Sequence, residues 1–365
     1  MSVASRAPDH IRAIMPYQPG KPISELAREM GLAESSIVKL ASNENPLGMS
    51  TCARDAARMA LADLARYPDG GAFALKAALC RKLGVKPEQL VIGNGSNDVL
   101  EIATQAFLRP GCSAVYAQHA FAVYPLATQA RGARGVEVPA RNFGHDLDAM
   151  AAAISPDTRI AFIANPNNPT GTFLPGGDIE AFLHQVPQDV LVVLDEAYTE
   201  YLAPAQRYDA IAWIERFPNL LVSRTFSKAY GLAGLRVGYG VAHAEVADLM
   251  NRVRQPFNVS SVALAAAGAA LDDEEFIEQS AELNRRGMQQ LTDAFVALGL
   301  EWIPSAGNFV TFKVGDAAGV DRALLRQGVI VRPIAGYGMP HWLRVSIGLP
   351  EENARFIAAL KQALA

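Results

Sequence analysis

Short runs of apolar residues recur along the chain at 90–92, 113–116, 159–163, 190–194 and 219–222, separated by alanine-rich stretches. Runs of this length without polar alternation suit strands buried on both faces. The intervening segments 98–107, 147–153 and 178–185 read as helices. This alternation predicts an α/β fold built on a mostly parallel sheet covered by helices, with any chemistry at the carboxyl ends of the strands.

The two ends of the chain break this rhythm. Pro16, Pro19, Gly20 and Pro22 interrupt regular structure before a short helix at 24–30, so residues 1–45 read as an N-terminal arm. After Pro256 the pattern changes to long helices at 262–271 and 274–298, followed by short strands at 308–312 and 343–347. The expected organisation is the arm, a large α/β domain at 46–256 and a smaller α+β domain at 257–365, joined by a long helix rather than a flexible tether. A length of 365 residues, half of them apolar, agrees, because single cores stop growing at roughly 250 to 300 residues.

Charge and cysteine usage narrow the function. With 33 Lys and Arg against 37 Asp and Glu, a net charge of −4 leaves no basic excess for a nucleic-acid backbone. Cys52, Cys80 and Cys112 are widely spaced, which suggests neither a disulfide framework nor a metal site and fits a reducing compartment. The first residues carry Asp9 and His10 without an apolar leader segment, and the longest apolar run, 262–271, is too short to cross a bilayer. A cytoplasmic protein without nucleic-acid or membrane partners is expected.

The candidate chemistry gathers where strands end. Lys228 lies in a run with Thr225, Ser227, Gly231, Gly234 and Arg236. A lysine amine can condense with an aldehyde and later act as a base, while the hydroxyls and the guanidinium can converge on a phosphate. Asp195 closes the apolar run 191–194, where a desolvated carboxylate wants a cation; capping of the next segment is the plainer alternative. Tyr198 follows three residues later. Asn168 stands in Asn-Pro-Asn-Asn-Pro-Thr-Gly at 165–171, a loop made rigid by its prolines. Gly95, Ser96 and Asn97 open a helix after 90–92, suited to an anion at the helix N-terminus or simply to capping. Phe121 offers either a ring to stack on or ordinary core packing. Arg332 and Arg344 sit in apolar strands and each requires an anion, from the protein or from a substrate. A base, a carboxylate for a ring nitrogen, donors for a phenolic oxygen and a phosphate cradle together describe a pyridoxal 5'-phosphate pocket.

In the order and spacing of these motifs the chain resembles the fold-type I pyridoxal-phosphate aminotransferases, and more closely the histidinol-phosphate aminotransferase family. The likeness also covers Pro16-Tyr17, Leu-Ala-Ser-Asn-Glu-Asn-Pro at 40–46 and Arg-Tyr-Pro-Asp at 66–69. It implies a large domain with a seven-stranded sheet and transfer of an amino group between L-histidinol phosphate and 2-oxoglutarate. By the same resemblance, Lys228 carries the cofactor, Asp195 faces the pyridine nitrogen, and Asn168 and Tyr198 reach the phenolic oxygen. Ser96, Thr225, Ser227 and Arg236 hold the cofactor phosphate, and Tyr67 reaches that of a neighbouring subunit, so a homodimer with shared sites is expected. Tyr17, Arg332 and Arg344 are the implied substrate-phosphate contacts, and Asn308 is expected with Tyr17 and Phe121 at the pocket mouth. Phe121, where the family often has tyrosine, and the Gly-Ser-Asn loop depart from the pattern and leave substrate preference open. An aromatic amino-acid aminotransferase, a phosphothreonine decarboxylase and a non-enzymatic cofactor-binding regulator are the alternatives.

Overall fold

The computed structural model describes residues 2–365. Its strands fall into three sheets. The short β1 (Val38–Lys39) is followed by β2 (Leu90–Gly93), β3 (Ser113–Ala117), β4 (Arg134–Val138), β5 (Thr158–Ala164), β6 (Leu191–Asp195), β7 (Leu220–Thr225) and β8 (Gly238–Ala242). The C-terminal part adds β9 (Trp302–Ile303), β10 (Phe309–Lys313), β11 (Val329–Ile330), β12 (Arg332–Pro333) and β13 (Trp342–Ser346).

The seven strands β2 to β8 form one sheet in the order β2-β8-β7-β6-β5-β3-β4. All pairs are parallel except the two made by β8, which runs against both neighbours. Alternate residues feed two cores, one on each face. Val192, Leu194, Ala161, Ile163, Leu220 and Val222 point into one, and Leu191, Val193, Ile160, Phe162 and Leu221 into the other. This two-sided burial is why the central residues of these strands are apolar without alternation. Two strands escape the apolar-run signal. In β4, Arg134, Gly135 and Glu137 lie exposed at the sheet edge, and β8 carries Gly238 and Gly240 in a five-residue strand.

The smaller sheet runs β12-β13-β10-β9, antiparallel throughout. With the helices Ala317–Arg326 and Pro350–Leu364 it encloses a separate core around Phe295, Phe312, Leu343 and Phe356. The helix Glu274–Ala297 joins the two bodies: Ile277 packs on the large core, while Leu291 and Phe295 lie in the small one.

Two segments sit elsewhere than their sequence pattern suggested. The helix Ser261–Leu271, expected in the small domain, packs through Ala263, Ala266, Ala267 and Ala270 into the large core, so the large body extends past residue 256. A face of small residues allows close approach to the helices Thr51–Ala60 and Phe73–Leu83. The arm is also less detached than its prolines implied. Leu26, Ala27, Ile37 and Ala41 form a cluster with Ile330, Leu40 enters the small core, and β1 pairs in parallel with β11, Val38 opposite Val329. In the stretch before these residues, Met15 and Tyr17 are exposed, and Gln129 donates to the His10 carbonyl at 3.2 Å. Among the described residues no helix is long and apolar enough to cross a membrane, and no His, Cys, Asp and Glu side chains gather as metal ligands.

Candidate active site

The carboxyl ends of β2, β3, β5, β6 and β7 lie along one edge of the large sheet, and the small domain faces that edge. Between them is a cavity of about 180 Å³. Its lining includes Tyr17, Ser96, Asn97, Phe121, Asn168, Asp195, Tyr198, Thr225, Ser227, Lys228, Arg236, Arg332 and Arg344. Residues from 17 to 344 thus meet in one place because each follows a strand end or faces one.

Asp195 is the last residue of β6 and 6% exposed. Its Oδ2 accepts a hydrogen bond from the Tyr124 hydroxyl at 2.9 Å, whereas its buried Oδ1 has no protein partner. Burial pushes the carboxyl up to about 6; Tyr124 and Lys228 oppose that rise. Lys228 follows β7, and its Nζ donates to the Ser42 carbonyl at 3.3 Å. Burial, with the Arg344 and Arg236 guanidiniums nearby, draws the amine down to about 8. A substantial fraction is therefore neutral near physiological pH, which a nucleophilic amine requires.

The opposite end of the cavity is an anion cradle. The Thr225 hydroxyl accepts from the Ser227 amide at 3.1 Å, and Arg236 Nη1 donates to the Ser227 hydroxyl at 3.3 Å. The helix Ser96–Phe107 begins here, with its first amides directed at the same place. Gly95, although not itself in the lining, makes this possible. It has φ +87°, and a Cβ there would stand 2.5 Å from Arg236 Nη2. A Cβ on Gly238 would likewise meet the Ser96 amide nitrogen at 2.5 Å, so β8 can pass under the turn only as glycine.

On the small-domain side, Arg344 is buried in β13, donates to the Ala41 carbonyl at 2.7 Å and to Asn168 Oδ1, and leaves its Nε without a protein partner. Arg332 donates to the Gln18 carbonyl at 2.6 Å and stands 5.2 Å from the Tyr17 ring centre. Both guanidiniums line the cavity, and the arm is tied to one of them.

Besides Gly95, two expected residues lie outside it. Asn308 is buried behind the wall, where its amide donates to the Asn43 carbonyl at 3.0 Å; it supports the wall rather than the mouth. Tyr67 is 81% exposed and stacks on Phe257, with ring centres 4.8 Å apart. Conversely, Tyr124 and Asn43 carry contacts that sequence spacing did not single out. Asn43 donates to the Tyr198 hydroxyl at 3.0 Å and accepts from the Ser346 hydroxyl at 2.9 Å, linking Tyr198 to the small domain.

These groups fit pyridoxal phosphate. A buried carboxylate oxygen without a partner suits a ring N–H, and the cradle of amides, hydroxyls and Arg236 suits a phosphate. The fold and this donor set are those of a pyridoxal-phosphate-dependent aminotransferase. The aminotransferase class I and II family model matches residues 35–360. Histidinol-phosphate aminotransferase 1 of Thiobacillus denitrificans is 66% identical over 99% of this chain and 94% of its own length. Histidinol-phosphate aminotransferase 2 of Pseudomonas aeruginosa is 60% identical over 97% and 96%. The crystal structure of histidinol-phosphate aminotransferase from Sinorhizobium meliloti in complex with pyridoxal-5'-phosphate superposes with a TM-score of 0.90 at 29% identity, covering 99% of this chain and 98% of that one. The chain belongs to the histidinol-phosphate aminotransferase family of class I and II aminotransferases.

Proposed function

We propose that the enzyme transfers the amino group between L-histidinol phosphate and 2-oxoglutarate, giving imidazole acetol phosphate and glutamate, as a step of histidine biosynthesis. The observation that carries this reading is the pair of guanidiniums, Arg332 and Arg344, on the cavity wall facing Asp195 and Lys228. One arginine suffices for a carboxylate; two suit a doubly charged phosphate. The names borne by relatives at 60% and 66% identity support the same substrate.

When bound, pyridoxal phosphate supplies an electron sink for the carbon that exchanges its proton. Asp195 would hold the proton on the ring nitrogen, Asn168 and Tyr198 would donate to the phenolic oxygen, and Phe121 would offer its ring face. Ser96, Asn97, Thr225, Ser227 and Arg236 would hold the phosphate, with Gly95 shaping the turn. Lys228 would hold the cofactor, and its amine would take and return the proton at the substrate α-carbon. Tyr17, held over the cavity through Arg332, shields the substrate from water.

The working unit in this reading is a homodimer. Tyr67 lies outside its own cavity, and Leu61, Leu64 and Phe73 are exposed with it on the same stretch of chain. A second copy covering this face would bring Tyr67 to its neighbour's cofactor phosphate; sedimentation of the active holoenzyme as a monomer would exclude this. A cytoplasmic location fits three cysteines that are all unpaired.

The substrate is tested by Arg332→Gln. KM for histidinol phosphate should rise about tenfold or more, the size expected for losing a charge-assisted hydrogen bond, while KM for glutamate changes far less. Equal effects on both would remove the phosphate clamp.

A further inference from the structure

Tyr124 lies at the first turn of the helix Val123–Ala130, after the loop that leaves β3, and has no solvent exposure. Its ring is fixed from two sides. It stacks on Phe162 of β5, with ring centres 4.6 Å apart and planes 7° apart, and meets Phe121 edge-on at 5.8 Å and 85°. These contacts hold the phenol so that its hydroxyl reaches Asp195 Oδ2 at 2.9 Å. They leave Oδ1 as the oxygen without a protein partner.

We infer that Tyr124 is a positioning residue for Asp195: by donating to one carboxylate oxygen, it keeps the carboxylate ionised and turns the other oxygen to the cofactor's ring nitrogen. The direction of that bond is fixed. Burial and the adjacent carboxylate raise the phenol's own pKa well above its ordinary value, so Tyr124 stays a donor throughout the working pH range.

The other groups facing Asp195 do not substitute for it. Glu196, the residue just beyond β6, opposes ionisation of Asp195 through its charge, although it is itself paired with Arg224. Lys228, from the segment after β7, favours ionisation by charge, and the Ala197 amide contributes from the backbone. Tyr198 lies close enough for Asp195 to raise its pKa, but the two share no hydrogen bond. Without the Tyr124 hydroxyl, burial would carry Asp195 from about 6 towards neutrality. A protonated Asp195 cannot accept the ring N–H.

The inference rests on the cofactor assignment and is independent of the amino donor. Its test uses pyridoxamine 5'-phosphate, which cannot condense with Lys228, and measures the dissociation constant for apo-protein by equilibrium dialysis from pH 5 to 8.5. In the unaltered protein, binding should tighten as pH rises through about 6. In Tyr124→Phe, which keeps the stacked ring, this tightening should be displaced upward by about one pH unit, with near-normal affinity regained above pH 8. In an Asp195→Asn background the same substitution should displace nothing. Overlapping curves for the parent and Tyr124→Phe would overturn the inference. So would an equal loss of affinity at every pH, which would make Tyr124 a packing residue. Failure of the unaltered protein to bind the probe would instead overturn the cofactor assignment on which the inference stands.

Discussion

Lys228 is held where a charged amine is costly. Its folded pKa of about 8 lies below the 10.5 of an exposed lysine, chiefly through burial. The unfolded chain therefore binds this proton more tightly than the folded one, so stability is depressed below pH 8 and recovers as pH rises from about 8 to 10.5. Lys228→Met should make apo-protein more stable at pH 7, by up to about 3 kcal/mol, and the advantage should fade towards pH 10.5. Urea unfolding across this range would check it; destabilisation at pH 7 would show that the amine is not strained by burial. Lys228, Asp195, Asn168 and Arg236 were legible in sequence because each follows an apolar run or a constrained loop, and strand ends are where α/β sites form. Tyr124 and Asn43 were not, because their work is done through hydrogen bonds to residues 71 and 155 positions away. Asn308 was expected at the mouth with Tyr17 and Phe121, yet its amide turns to the Asn43 carbonyl.

At the scale of elements, five apolar runs gave five strands, since burial on both faces leaves no polar positions to blur the signal. β4 and β8 lay hidden for different reasons: one is a partly exposed edge strand, and the other is interrupted by the glycines that let it pass beneath the Ser96 turn. What fixes the strand ends against each other was also invisible. Arg224 of β7 and Glu196, just beyond β6, form a buried ion pair at 2.8 Å, one residue from Thr225 and Asp195 respectively. The Glu196 amide donates to the Ser223 carbonyl alongside it. Glu196→Gln would leave the guanidinium without its full partner and should cost about 3 kcal/mol in denaturant unfolding. Little or no loss would mean that Glu200, pushed up to about 7 by burial beside the same arginine, ionises in its place.

In the whole molecule, the helix Glu274–Ala297 carries the small domain, and β1 and the arm bind back onto it, so Arg332, Arg344 and Tyr17 approach the cavity from the side opposite Lys228. The change of pattern after Pro256 set the expected boundary, and the place of the helix Ser261–Leu271 was not legible, because an alanine-rich helix carries no periodic contrast to say which core it joins. That geometry puts Arg332 and Arg344 on one body and Lys228 and Asp195 on the other, and it makes the choice of amino donor the central claim. The direct measurement is the absorbance of cofactor-loaded protein mixed in turn with L-histidinol phosphate, tyrosine, phenylalanine and glutamate, following conversion of the pyridoxal to the pyridoxamine form. Two guanidiniums in the cavity call for conversion by histidinol phosphate at far lower concentration than by either aromatic acid; preference for tyrosine or phenylalanine, or no conversion by histidinol phosphate, would contradict the account.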